Sequence, residues 1–141
     1  KMATPVYGKQ FIRFAETGLV PEATALDQFT IVKVAAAVTE PPTIARQEAG
    51  GEAFGILQQD MPAVDADKAT TFQRLGTVAT SGLLLVAADP ANLQVQGSAL
   101  ACDGFGRSAV GGGGVTVGAS TPIVRQQVVI GGVSMALVSF N

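Results

Sequence analysis

The sequence predicts a mainly β fold: a small β-barrel or β-sandwich-like domain of short antiparallel strands, with little helix and an extended N-terminal arm. Three observations predict it. Val, Ile, Thr and Phe gather in short runs that suit a pleated, half-buried surface. The 17 glycines cut those runs every few residues, where turns and bulges need their conformational freedom. Two apolar runs near the C-terminus flank Gly131-Gly132, a two-residue loop suited to a primed hairpin turn.

A chain of 141 residues is long enough for one domain with a real core, burying roughly 70% of its unfolded surface. The reading is an arm over 1–27 followed by a single β-rich domain over 28–141. Pro5 and Pro21 break the arm, and between them Phe11 and Phe14 fall on opposite strand faces, so each needs its own apolar cover. That cover is either the chain's own core or a neighbouring molecule. A helix over Glu22 to Gln28 has poor apolar spacing.

The first clear strand is Gln28 to Val38, ended by Glu40-Pro41-Pro42. Thr43 to Gln47 is a weaker strand before Gly50-Gly51, and Ala53 to Gln59 is another, closed by Asp60-Met61-Pro62. The polar stretch Ala63 to Ala69 reads as a surface loop. Thr71 to Ala79 resumes the β pattern with Gly76 as the place for a bulge. Leu83 to Val86 is apolar on both faces and therefore deeply buried or lodged in an interface.

Asp89-Pro90-Ala91-Asn92 reads as a turn, followed by short strands at Leu93 to Gln96, Leu100 to Cys102 and Ser108 to Val110. Gly111 to Gly114 reads as a flexible link. In the final hairpin, Ile123 to Ile130 and Val133 to Phe140, the turn sets Ile130 opposite Val133, Val128 opposite Met135, Gln126 opposite Leu137 and Val124 opposite Ser139. That face reads as core. The other, with Arg125, Gln127, Val129, Ala136, Val138 and Phe140, reads as facing water or another subunit.

Charged residues make up 14% against about 25% in ordinary soluble domains, hydrophobic residues reach 48%, and mean hydropathy is +0.37. Monomers rarely expose large apolar patches, so this composition points to surface covered by other copies or partners. A net charge of -2 argues against a nucleic-acid partner. The three long uncharged stretches are interrupted by glycine and polar residues, which argues against a membrane span. The first residues lack the apolar run of a secretion signal, and synthesis in a cytoplasm is the expectation.

The sequence contains no histidine, which removes Ser-His-Asp and Cys-His catalysis and His-ligated zinc. Lys9, Lys33 and Lys68 sit in no nucleophile motif. Asp60, Asp65 and Asp67 form the one acidic cluster, without the spacing or glycine of a calcium loop. Gly104-Phe105-Gly106-Arg107-Ser108 lacks the Lys-Ser/Thr tail of a phosphate loop. Cys102 reads as a small buried apolar residue. The expectation is a non-enzyme with no metal, cofactor or small-molecule substrate.

Glu52 to Asp60, Gly76-Thr77-Val78-Ala79, Cys102 to Val110 and the terminal hairpin resemble, in order and texture, the tailed-phage capsid decoration or cement proteins. The resemblance covers roughly residues 50–141. It implies a β-rich protomer, commonly a homotrimer, that binds the outside of the expanded icosahedral shell at junctions of the phage major capsid protein and reinforces it. The surfaces then expected to meet another subunit or the capsid are carried by Tyr7, Phe11, Ile12, Phe14 and Leu19 in the arm, Leu84, and Arg125, Gln127 and Phe140 in the hairpin. A tail-tube or head-fibre component is the alternative. A carbohydrate-binding module ranks lower, because there is no tryptophan and only one tyrosine for stacking on sugars.

Overall fold

The computed structural model describes residues 10–36, 39–68 and 74–141. In chain order the strands are β1 (Phe11–Val20), β2 (Ile31–Ala36), β3 (Thr43–Arg46), β4 (Gly51–Glu52), β5 (Gly55–Leu57), β6 (Arg74–Ala87), β7 (Ala101–Cys102), β8 (Gly113–Thr116), β9 (Ile123–Ile130) and β10 (Val133–Phe140). A 3-10 turn, Ala66–Lys68, is the one helical element among the described residues. The mainly β, antiparallel-rich fold is as the composition predicts.

Seven strands form one sheet in the order β1-β3-β2-β5-β6-β10-β9, and β1 also pairs with β6. Hydrogen-bonded neighbours therefore run in a circuit from β1 through β3, β2, β5 and β6 back to β1. Each strand of the circuit sends one residue into a shared cluster: Val20, Ile44, Val32, Leu57 and Val78, joined by Leu26 and Met61 from the connecting segments. The space is small enough that β1 and β6 meet there through glycine. Gly18 lies opposite Gly76; a methyl group on Gly18 would stand 2.6 Å from Ile44 Cγ2, and one on Gly76 2.8 Å from Met61 Sδ.

β6 is long because it serves two neighbourhoods. Its first half closes the circuit; its second half, Gly82 to Ala87, pairs with β10, which pairs with β9. Leu84 and Val86 point into the largest cluster, with Ala136, Val138 and Phe140 of β10 and Leu100, Cys102 and Val115 on the facing side. The second sheet, β4-β8-β7, lies in that facing region. Leu85 points the other way, into a cluster with Val128, Met135 and Leu137. Burying each such leucine contributes about 1.5–3 kcal/mol.

Several expectations need correction. Thr71 to Ala79 and Leu83 to Val86 are not separate: residues 74–87 are one strand, with residues 69–73 outside those described. The irregularity sits not at Gly76 but at Thr80-Ser81, opposite Phe14, and Gly82 follows with φ 130°. Gly113 and Gly114 are not a flexible link but part of β8, where Gly113 packs directly on the backbone of Gly50. Leu93 to Gln96 and Ser108 to Val110 are not strands. Instead the buried Gln94 side chain accepts from Ala101 N and Ser108 Oγ and donates to Ala99 O, so a side chain satisfies the groups a ladder would have paired.

The hairpin turns at Gly131-Gly132, both with positive φ, and the three pairs nearest the turn hold as expected. Beyond them a bulge at Arg125 sets Val124 opposite Val138 rather than Ser139. Val124 thereby joins the largest cluster, and both hairpin faces are buried along β10. On the face read as outward, Ala136, Val138 and Phe140 of β10 are buried, whereas Arg125 and Val129 of β9 are exposed.

Candidate interaction surface

Side chains able to do chemistry are dispersed. Among the described residues no three Cys, Asp or Glu side chains come together as a metal site. Asp60 accepts a hydrogen bond from Gln28 N, while Asp65 stands 4.0 Å from Lys68 on the exposed 3-10 turn. Cys102 is buried, and burial together with the negative charge of Asp103 pushes its thiol up to about 11. A thiol held neutral in this way is a poor nucleophile.

The sequence-derived contact residues divide sharply. Phe11, Ile12 and Phe14 project from β1 with 67%, 40% and 63% of their surfaces exposed. Arg125 is exposed and donates from Nε to Ser139 Oγ at 3.0 Å; Gln127 is half-buried and donates from Nε2 to Gln94 O at 2.9 Å. Leu19, Leu84 and Phe140 are buried within the chain itself and are withdrawn as contact residues. The physical reason is the β1–β6–β10 pairing, which draws all three into or against the protein interior. Tyr7 lies outside the described residues.

The arm reading changes accordingly. From Phe11 to Val20 the segment is a strand of its own chain, paired with β6 from Leu83 to Arg74. Its other edge meets β3 only at Leu19, opposite Thr43, and the seven residues from Phe11 to Thr17 are all exposed. A shallow cavity of about 230 Å³ beside it is lined by Phe11, Arg13, Leu83, Phe140 and Asn141, among others. This is a strand edge with large apolar side chains and no cover among the described residues.

A second exposed apolar group lies at the opposite end of the strand order. Val129 (70%) and Val133 (53%) flank the hairpin turn, and Val95 (71%) is exposed on the segment whose residues 97 and 98 hydrogen-bond to Val124. From sequence Val129 falls on the hairpin face read as meeting water or another subunit, whereas Val133 falls on the face read as core and Val95 in a predicted short strand.

Comparison with protein-family models and with curated proteins finds no match.

The third feature is the loop 103–107. Asp103 accepts from Phe105 N, Arg107 N and Arg107 Nε at 2.8–2.9 Å, so one carboxylate fixes the whole turn. Gly106 takes φ 71° against Thr30 and Arg46, which brings the loop onto the sheet. The ring of Phe105, 60% exposed, lies within cation–π distance of the guanidinium groups of Arg46 (5.5 Å) and Arg107 (5.1 Å). Both cations are already paired: Arg46 with Glu48, and Arg107 with Asp103 and Asp89. The pairing leaves a rigid aromatic tip rather than an anion site. The Asp103 to Arg107 spacing was the available signal for it in the sequence.

Proposed function

We propose that this chain is a structural virion protein that binds the exterior of a mature tailed-phage capsid and stabilises it by bridging major capsid subunits. The observation that supports this reading is that exposed apolar side chains include one group on the β1 edge, Phe11, Ile12 and Phe14, and another at the far end of the strand order, Val129 and Val133, both carried on a seven-stranded sheet. Such patches on a rigid frame suit repeated protein contacts. The dispersal of its carboxylates and the neutral, buried Cys102 favour a binding role over turnover.

The mechanism is linkage. A ligand that binds only the assembled lattice stabilises it by about 2.7 kcal/mol per site at a hundredfold excess over Kd, and many sites act together. A cyclic homo-oligomer, a homotrimer in this proposal, presents several weak contacts at once and gains by effective concentration. No nucleic acid, membrane or cofactor enters it.

The test is to add the purified full chain to expanded capsids that lack a decoration protein. Saturable binding and a higher rupture temperature are expected; capsids that neither retain the protein nor change their rupture temperature refute the reading. Tubes formed without any capsid would favour a tail-tube component instead.

A further inference from the structure

We propose that copies of this chain join head to tail, the free edge of β1 in one copy pairing antiparallel with the free edge of β9 in the next, with Phe11 opposite Ile130 and Ile12 opposite Val129. This inference rests on the self-association in the function proposed above and names the surfaces that carry it.

The argument begins with strand directions. At the level of Leu83 the sheet is a four-stranded row, β1-β6-β10-β9, in which every neighbour is antiparallel. An even number of alternating strands leaves the two outer edges running in opposite directions. A second copy placed the same way up beside the first therefore brings its β1 alongside β9 with antiparallel polarity, and no strand has to be inverted. Repetition of one such contact closes a ring when the rotation permits.

Both edges are open where they are needed. β1 meets β6 alone over Phe11 to Gly18 among the described residues. On β9 the outer edge is occupied near Val124 by Gly97 and Ser98, and Gln126 to Ile130 carry no outer strand among the described residues. An unpaired edge with large apolar side chains is a template for another strand.

Register follows from which face each side chain takes. Phe11 lies opposite Leu83, which packs with the Leu85 and Val128 cluster, and Ile130 packs on that same cluster. Ile12 lies opposite Gly82, itself opposite Phe140 of the other cluster, and Val129 lies opposite Ser134 on that second side. A continuous sheet must match like faces, so Phe11 goes with Ile130 and Ile12 with Val129. Near Phe14 both β1 and β6 slip by one residue, so Ala15, opposite Ala79, takes the same face as Ile12, and the matched stretch of the junction is Phe11 and Ile12.

A two-fold β1-to-β1 contact is the competing arrangement. Matching Arg13 with Glu16 there places Phe11 opposite Gly18 and Ile12 opposite Thr17, and it leaves Val129 and Val133 uncovered. The head-to-tail junction sets Phe11 and Ile12 against Ile130 and Val129, apolar against apolar.

The test is disulfide trapping in the full chain with the Ile12→Cys and Val129→Cys substitutions, separately and together, with mass read by light scattering. The double variant is expected to oxidise to closed, reducible multimers of three or more copies, with at least tenfold less cross-linking in either single variant. A protein that is monomeric and gives no cross-link at any concentration overturns the junction, as does a two-copy species that the double variant fails to trap. Capsid binding by a monomeric form would overturn this inference and leave the proposed function standing. Trapped rings that ignore capsids would do the reverse.

Discussion

Along β1, Gly18, Leu19 and Val20 are buried where the strand closes against β3 and β6, whereas Phe11 to Thr17, which among the described residues pair with β6 alone, are exposed. Both halves contain large apolar residues, so composition does not separate them. What separates them is neighbours: the C-terminal half completes a circuit of five strands around Ile44, Leu57 and Val78, and the N-terminal half borders an open row. One strand thus builds the interior at one end and presents an exposed apolar edge at the other.

The sharpest way to break the comparison is to damage the interior. Leu84→Ala, in the fully buried middle of β6, is expected to cost about 2–5 kcal/mol in urea unfolding. A cost under 1 kcal/mol would mean that β6 is not the shared wall of the two neighbourhoods. Next is Gly18→Ala, whose new methyl group meets Ile44 at 2.6 Å; overpacking of this kind costs about 1–3 kcal/mol. Neutral behaviour there would show that β1 does not close tightly on β3.

Asp103→Ala removes three hydrogen bonds from the loop 103–107 and is expected to cost about 1–2 kcal/mol, with increased amide exchange at Phe105 and Arg107. At the exposed end, Phe11→Ser is expected to change monomer stability by no more than about 0.5 kcal/mol while weakening self-association at least tenfold. A large loss of monomer stability would erase the distinction between the halves of β1.

The smallest effect concerns acid. The side-chain amide of Asn92, then the Ala91 N–H and then Arg107, hold the Asp89 carboxyl below its ordinary 3.8. A depressed folded-state value gives stability that is present above the unfolded value and lost as pH falls through the folded one. The difference in melting temperature between the wild type and Asp89→Asn should therefore be constant near neutrality and shrink only below pH 3.8. A difference that changes at neutral pH would point to another group.

Local patterns were legible where one residue decides the outcome. Gly131-Gly132 announced the hairpin and its first three pairs, and Leu83 to Val86 announced a stretch buried on both faces. The bulge at Arg125 was not legible, since nothing in Val124-Arg125-Gln126 distinguishes a regular strand from a bulged one. That single extra residue moved Val124 across the sheet, into the cluster that holds Val138. The pairing of β1 with β6 was equally hidden, because it depends on the three-dimensional closure of segments some sixty residues apart rather than on local spacing. Without it, Leu19, Leu84 and Phe140 looked available for contact, whereas the aromatic tip at Phe105 went unnoticed inside a motif weighed only for phosphate.

Closure of β1 on β6 also carries a kinetic consequence. During synthesis the Phe11-Ile12-Arg13-Phe14 stretch emerges well before its pairing partner, so for that interval it is an unpaired, oily ribbon open to other nascent chains. Refolding from denaturant should accordingly be slow for a chain of this length, in the millisecond-to-second range, and its yield should fall as protein concentration rises. Stopped-flow fluorescence of an added probe dye, repeated at several dilutions, would reveal whether this late docking limits the rate.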